Sequence, residues 1–149
     1  MVKMKQIEEF LRAEPIALAG VSRNPKKFGS IAFTELKKKG MTLIPVNPNM
    51  GEIAGSHVYP GIGSLPDEVK GLIIATGRDK TAGIVREAIG KGIKHIWIQQ
   101  MAESKEALEE LRRSEVNYIT GECILMYYKP DSVHKFHGLL KKFFRRYPK

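Results

Sequence analysis

Five short apolar segments, separated by longer amphipathic ones, constrain the fold of this 149-residue chain more than any other feature. Each is short and largely apolar, as is typical of parallel strands that are covered on both faces. The predicted strands are 16–19, 42–47, 71–76, 94–98 and 116–119. Between them, apolar residues recur at helical spacing. The predicted helices are 30–39, 79–91 and 103–114.

This alternation predicts an α/β protein with a Rossmann-like, three-layer fold: a five-stranded parallel sheet with helices on both faces. We expect the strand order 3-2-1-4-5, which puts the ligand site at the carboxyl ends of the first and fourth strands. Further helices are expected at 4–13 and at about 132–147. Residues 48–70 are rich in Pro and Gly, which predicts turns with at most a short strand or helical turn. The length predicts one domain over residues 1–149.

The segment between the first predicted strand and the first long helix is typical of a phosphate-binding loop. Gly20 ends the strand, and Gly29 begins the helix. A helix N-terminus has free N–H groups, and its dipole favours anions. We therefore expect Ser22 and the backbone from Val21 onward to hydrogen-bond a pyrophosphate. The alternative is a simple serine turn that leads into the helix.

The loop does not match the dinucleotide-binding motif. Ser22 stands where the second glycine of G-x-G-x-x-G belongs, and the second predicted strand ends in 47–49, Asn-Pro-Asn, without the acidic residue that holds the ribose of NAD. Arg23, Lys26 and Lys27 are close by in the sequence. These features favour a ligand with more phosphate than NAD has.

Several short motifs occur in the order found in small stand-alone CoA-binding domain proteins. They are Gly20-x-Ser22-x-x-Pro25-x-Lys27-x-Gly29, 44–48 (Ile-Pro-Val-Asn-Pro), 58–60 (Val-Tyr-Pro), 65–66 (Leu-Pro), 97–99 (Trp-Ile-Gln) and Cys123. Over roughly residues 5 to 128 the chain resembles this family, which is similar to the N-terminal CoA-binding domain of the succinyl-CoA synthetase alpha subunit. The resemblance implies that coenzyme A or an acyl-CoA is bound. It implies no catalysis, because the phosphohistidine domain and second subunit of the synthetase are not in this chain.

The resemblance and the loop pattern together give a set of expected cofactor-binding residues. They are Gly20, Val21, Ser22, Pro25, Lys27, Phe28, Gly29, Asn47, Pro48, Thr76, Arg78 and Gln99. By the family pattern, Lys27 meets a phosphate and Asn47 lies near the adenosine end, where a 3′-phosphate disfavours a carboxylate. Gln99 is expected to bond the pantetheine amides.

Several of these residues also have a purely structural alternative. Asn47 and Pro48 are ordinary choices in a turn that ends a strand, Thr76 can cap a helix, and Arg78 can be a surface charge. Met101 either lines the thiol arm of the ligand or fills a gap in the core.

Cys123 is the single cysteine, so no internal disulfide can form. We expect it to be a small buried core residue. The alternative is a thiol near the CoA thiol that forms a mixed disulfide. The family pattern often has Arg before this cysteine, whereas Glu122 stands here, and a neighbouring carboxylate disfavours a thiolate.

The net charge of +9 points to anionic partners. The predicted helix at 132–147 alternates apolar and basic residues, which suits packing on the domain, a homo-oligomer contact or an acidic protein partner. Nucleic acid is disfavoured as a partner because the aromatic residues are not interleaved with basic ones in a known binding motif. His134 and His137 lack further ligands nearby, so no metal site is expected.

No segment is apolar and long enough to span a membrane or resembles a signal peptide, which predicts a cytoplasmic protein without membrane contact. There is no nucleophile elbow and no pair of carboxylates at a loop edge, so no catalytic residues are expected. Two other function classes remain open. One is an NADP-binding oxidoreductase or redox-sensing regulator that uses Arg23, Lys26 and Lys27 for a 2′-phosphate. The other is a nucleic-acid-binding module that uses residues 132–149.

Overall fold

The computed structural model describes residues 2–129, so the helix predicted at 132–147, with His134 and His137, lies outside the described residues. The α-helices are α1 (Met4–Leu11), α2 (Phe28–Lys38), α3 (Arg78–Lys91) and α4 (Lys105–Arg112). The strands are β1 (Ile16–Ala19), β2 (Leu43–Val46), β3 (Glu52–Ile53), β4 (Ser56–His57), β5 (Gly71–Ile74), β6 (His95–Gln99) and β7 (Asn117–Glu122). Short 3-10 helices lie at Ile62–Ser64 and Ile124–Met126. None of the helices in this part of the chain could cross a membrane.

Five parallel strands form the main sheet, in the order β2-β1-β5-β6-β7. Ile16 is paired with Leu43 on one side and with Gly71 on the other, and Gly71 is paired with His95. The predicted α/β fold and all five predicted strands are confirmed. The small antiparallel hairpin of β3 and β4 lies within the turn-rich region, where at most one short strand was expected.

The predicted strand order, 3-2-1-4-5, is wrong: the third long strand, β5, pairs with β1 instead of β2. The outer edge of β2 is occupied by Tyr59, whose N–H donates to the Pro45 carbonyl and whose carbonyl accepts from the Asn47 N–H, both at 3.0 Å. Pro45 itself has no N–H, which suits a strand at the edge of a sheet. The order is therefore 2-1-3-4-5, and the ligand-binding switch point lies between β1 and β5 instead of β1 and β6.

Apolar side chains cover both faces of the sheet, because successive residues of each strand point to opposite sides. Ile16 and Leu18 pack with α1 and α2, whereas Ala17 and Ala19 pack with α3 and α4. Trp97 is fully buried in the first of these layers, beside the edge of the Phe10 ring at 5.4 Å between ring centroids. The three-layer arrangement predicted from the sequence is thus present.

Candidate functional site

A cavity of about 670 Å³ opens at the carboxyl ends of β1, β2 and β5. Ala19, Val46 and Ala75 form its floor. The β1–α2 loop (residues 20–27) lines the cavity with residues 20–22 and 27, and α3 forms another wall. The volume lies within the range of about 300 to 1,000 Å³ that is usual for small-molecule sites.

The first turns of both α2 and α3 line this cavity. Lys27 is the N-cap of α2 and Gly77 is the N-cap of α3, and within residues 2–129 no side chain caps either helix. The first N–H groups of a helix have no partner inside the helix, and the dipole makes this end electropositive. Two helix ends that suit an anion therefore meet at one cavity, whereas the sequence predicted one.

Two glycines let the loop, α2 and β5 approach each other at backbone distance. Gly20 has a φ of +114°, and a Cβ on it would collide with the backbone of Ala75. A Cβ on Gly29 would collide with the carbonyl group of Gly20. Gly29 thus allows close packing of α2 against the end of β1, as the third glycine of a dinucleotide-binding loop does for its helix and strand.

Hydrogen bonds inside the β1–α2 loop fix its shape. The Ser22 hydroxyl oxygen accepts from the Asn24 N–H at 3.1 Å, and the Asn24 side-chain oxygen accepts from the Lys26 N–H at 3.0 Å. The serine turn that the sequence offered as an alternative is therefore present. Ser22 nevertheless lines the cavity, so this turn does not remove it from the candidate site.

Asn47 connects the end of β2 to the β1–α2 loop. Its Nδ2 donates to the Val21 carbonyl at 2.7 Å, and its Oδ1 accepts from the Asn49 N–H at 2.7 Å. An aspartate at this position could not donate to Val21. The absence of an acidic residue here therefore has a local structural reason, besides any effect of a phosphate.

Residues 14–129 match the family model described as a CoA binding domain. The chain belongs to this CoA-binding domain family. The alpha subunit of the ADP-forming acetate–CoA ligase II of Pyrococcus furiosus is 27% identical over an alignment of 129 residues, and the match covers 79% of the chain and 28% of that subunit. The ADP-forming acetate–CoA ligase II of Archaeoglobus fulgidus is 32% identical over 102 residues, 67% of the chain and 15% of that enzyme.

A solved structure also matches this CoA-binding domain. It is a conserved hypothetical protein from Pyrococcus furiosus, with a TM-score of 0.71 and 37% identity. The match covers 74% of the chain and 95% of that protein. The same fold thus occurs elsewhere in a chain that consists of little else.

Most of the residues predicted to bind the cofactor surround the cavity of this CoA-binding domain. Nine of the twelve line it: Gly20, Val21, Ser22, Lys27, Phe28, Gly29, Asn47, Pro48 and Thr76. Their contacts with a ligand stay predictions. The sequence reasoning placed them together because the carboxyl ends of parallel strands meet at one edge of a sheet.

The other three predicted residues lie outside the set that lines the cavity. Pro25 lines a second cavity of about 510 Å³, together with Arg23. Arg78 donates from Nε to the Met101 carbonyl at 3.0 Å. Gln99 is buried, and its Oε1 accepts from the Ile124 N–H at 3.1 Å, so this oxygen already has a structural partner.

The side chains of Met101 and Cys123 differ sharply in exposure. Met101 is 72% exposed, with a φ of +79°, and is not among the residues that line the cavity. One of the two interpretations of Met101, that it fills a gap in the core, is therefore wrong. Cys123 is buried in the apolar layer that contains Trp97, which confirms the expected core position.

The sequence analysis singled out no ligand-binding residue of α3 beyond Arg78, although α3 contributes a wall to the cavity. Residues 79, 80, 82–84, 86 and 87 of α3 line the cavity, together with Glu106 of α4. Gly83 was the available signal, because a glycine inside a helix is unfavourable unless space is needed there.

Arg86 and Glu106 place one positive and one negative charge on the part of the cavity wall away from the start of α3. Arg86 donates to Glu106 at 2.8 Å and lies 3.6 Å from a Glu110 oxygen. The hydrogen bond from Arg86 to Glu106 raises the pKa of Arg86 above its usual value. Nearer the two helix N-termini, the cavity is lined by Lys27 and Lys80, and also by Asp79 in the first turn of α3.

Thr81 is a further residue that the sequence did not single out. It is fully buried, and its hydroxyl donates to the Ala102 carbonyl at 2.7 Å. Its Oγ1 also lies 3.4 Å from the Thr76 hydroxyl oxygen. Thr81 therefore fixes the start of α3 against the segment after β6 and holds Thr76 at the cavity. Within residues 2–129, no group of three or more His, Cys, Asp and Glu side chains is arranged to hold a metal ion.

Proposed function

We propose that this chain binds coenzyme A, or an acyl-CoA, in the cavity at the carboxyl edge of the sheet. The main support is that the first turns of α2 and α3 both border this cavity. Uncapped helix N-termini favour phosphate groups, and Lys27 adds a positive charge beside them. CoA offers a pyrophosphate and a 3′-phosphate to such a surface.

The family supports the same ligand independently of this geometry. Residues 14–129 match a CoA binding domain, and the matched relatives are acetate–CoA ligases. The chain covers 28% of the first of these and 15% of the second, so their ligase activity is not transferred to it. We propose binding without catalysis, in a carrier, a sensor or a subunit of a larger enzyme.

Calorimetry with CoA, dephospho-CoA and NADP, measured side by side, tests this proposal. We expect CoA to bind and dephospho-CoA to bind more weakly, because the 3′-phosphate is lost. Binding of NADP without binding of CoA would overturn the proposal and favour the oxidoreductase or redox-regulator alternative. Equal binding of CoA and dephospho-CoA would remove the role assigned to the 3′-phosphate.

The substitution Gly83→Leu tests the position of the ligand. A Cβ at Gly83 meets no atom within 4 Å, and the side chain would grow into the cavity. We expect the CoA affinity to fall at least tenfold, about 1.4 kcal/mol. The fold should not suffer, because leucine favours a helix over glycine by roughly 1 kcal/mol.

Gly90→Leu is the matched control. Gly90 lies in the same helix and also has open space around its Cβ position, but it is exposed and does not line the cavity. Its CoA affinity should equal that of the wild type. If both variants bind CoA as the wild type does, the ligand lies elsewhere.

A further inference from the structure

The peptide group between Val21 and Ser22 is held at both of its polar atoms by side chains from two different elements. The Val21 carbonyl accepts from Asn47 Nδ2 at 2.7 Å, at the end of β2. The Ser22 N–H donates to the Ser30 hydroxyl oxygen at 3.1 Å, in the first turn of α2. The orientation of this single peptide group is therefore fixed from two directions.

Ser30 makes a second contact with the same loop residue. Its hydroxyl donates to the Ser22 carbonyl at 2.6 Å, so one side chain satisfies both the N–H and the C=O of Ser22. Ser30 is only 6% exposed, and it is not among the residues that line the first cavity. It therefore acts on the cavity wall through Ser22.

We propose that Ser30 is a positioning residue that holds the β1–α2 loop in its ligand-binding shape before the ligand arrives. The inference rests on the proposed function, in which this loop meets the phosphates of CoA. A ligand that binds a preorganised loop does not have to order it, and this ordering is one of the main costs of binding. Without the Ser30 hydroxyl, Ser22 loses two hydrogen bonds, and the loop must be ordered by the ligand instead.

The variant Ser30→Ala tests the proposal, with Ser114→Ala as its matched control. Ser114 makes the same type of paired contact: its hydroxyl donates to the Leu111 carbonyl at 2.7 Å and accepts from the Val116 N–H at 3.3 Å. It precedes β7, so it lies at the amino-terminal edge of the sheet, opposite the cavity. The two variants therefore lose similar bonds at opposite edges.

Three measurements are made on the full chain: the CoA affinity and binding entropy by calorimetry, and the hydrogen exchange of loop amides without ligand. Ser30→Ala should bind CoA about tenfold more weakly, with a less favourable entropy, and its Ser22 amide should exchange faster. Ser114→Ala should leave all three unchanged. Ser30→Thr retains the hydroxyl and should restore slow exchange at Ser22.

The outcomes separate this inference from the proposed function. If the wild type binds CoA and Ser30→Ala binds it equally well, the positioning role is overturned. If Ser114→Ala weakens binding as much as Ser30→Ala, the effect is general loss of stability and the inference fails. If the wild type does not bind CoA, the proposed function fails; exchange at Ser22 then decides whether Ser30 fixes the loop.

Discussion

Gly29 packs directly against the carbonyl group of Gly20, with no space for a Cβ between them. Gly20 in turn lies against the backbone of Ala75, at the end of β5. Backbone segments from the loop, α2 and the third long strand therefore meet at one point. The position of the electropositive end of α2 relative to the cavity floor depends on two residues that have no side chain.

Replacing Gly29 by alanine should destabilise the protein and weaken CoA binding. The added methyl group meets backbone atoms, which cannot move aside as a flexible side chain can. We expect the free energy of unfolding to fall by about 1 to 3 kcal/mol, measured by urea denaturation. Gly83→Ala, where the space is open, should instead be neutral or stabilising by up to about 1 kcal/mol. Unchanged stability of Gly29→Ala would contradict the packing described here.

Gly92→Ala should lower the stability, because Gly92 ends α3 with a φ of +90°. This left-handed conformation costs a residue with a Cβ about 1 kcal/mol relative to glycine. Thermal unfolding followed by circular dichroism measures the effect. Gly90→Ala, in the last turn of the same helix, should not lower the melting temperature. If the two variants behave alike, helix propensity alone determines the result.

Trp97→Phe should destabilise the fold although it keeps an aromatic ring in the core. The Trp97 Nε1–H donates to the Glu122 carbonyl at 3.0 Å inside a fully buried site. The loss of this hydrogen bond, together with the smaller volume of the phenylalanine side chain, should lower the free energy of unfolding by about 1 to 3 kcal/mol. Urea denaturation followed by circular dichroism tests this. A midpoint equal to that of the wild type would show that the hydrogen bond contributes nothing.

The stability of the protein should decrease as the pH falls below about 6.5, the usual pKa of histidine. Burial lowers the pKa of His95, and the nearby Glu9 carboxylate opposes this effect only in part. The unfolded chain therefore takes up a proton at His95 at a higher pH than the folded protein does. Acid consequently favours unfolding through this group, and the stabilisation is present above that pH.

Urea midpoints at pH 7.5 and pH 5.5 measure this dependence. His95→Gln should show a smaller difference between the two midpoints than the wild type. An equal difference in both proteins would assign the pH dependence to other groups. The His95 Nδ1 lies 3.2 Å from the Asn117 amide nitrogen, which suits the neutral ring as the acceptor.

The sequence was sufficient to predict the α/β fold, because five apolar segments alternate with amphipathic ones. The predicted strand order was wrong, and Pro45 was the residue that could have indicated the observed order. The order 3-2-1-4-5 would put the second strand between two neighbours, where the N–H that proline lacks is needed for pairing. Treating Pro45 as a mark of an edge strand would have favoured the observed order.

The part of the candidate site that lies at strand ends and in the glycine-containing loop was predictable from the sequence. Gly20, Lys27 and Asn47 line the cavity as expected. Gln99 shows the limit of this reasoning, because its side-chain oxygen accepts from the Ile124 N–H, 25 residues away in the chain. A polar residue after a strand can serve a ligand or the backbone of a distant segment, and only the tertiary structure distinguishes the two.

The contact between Tyr59 and β2 also bears on aggregation. A bare edge strand offers its N–H and C=O groups to other chains, which is how sheets join into aggregates. Tyr59 occupies these groups at Pro45 and Asn47, and the next residues, Pro60 to Ile62, form part of the cavity wall. A deletion in this segment would therefore expose unpaired backbone groups at the edge of β2 and would open the ligand site at the same time. Solubility and ligand binding are thus tied to one short stretch of chain.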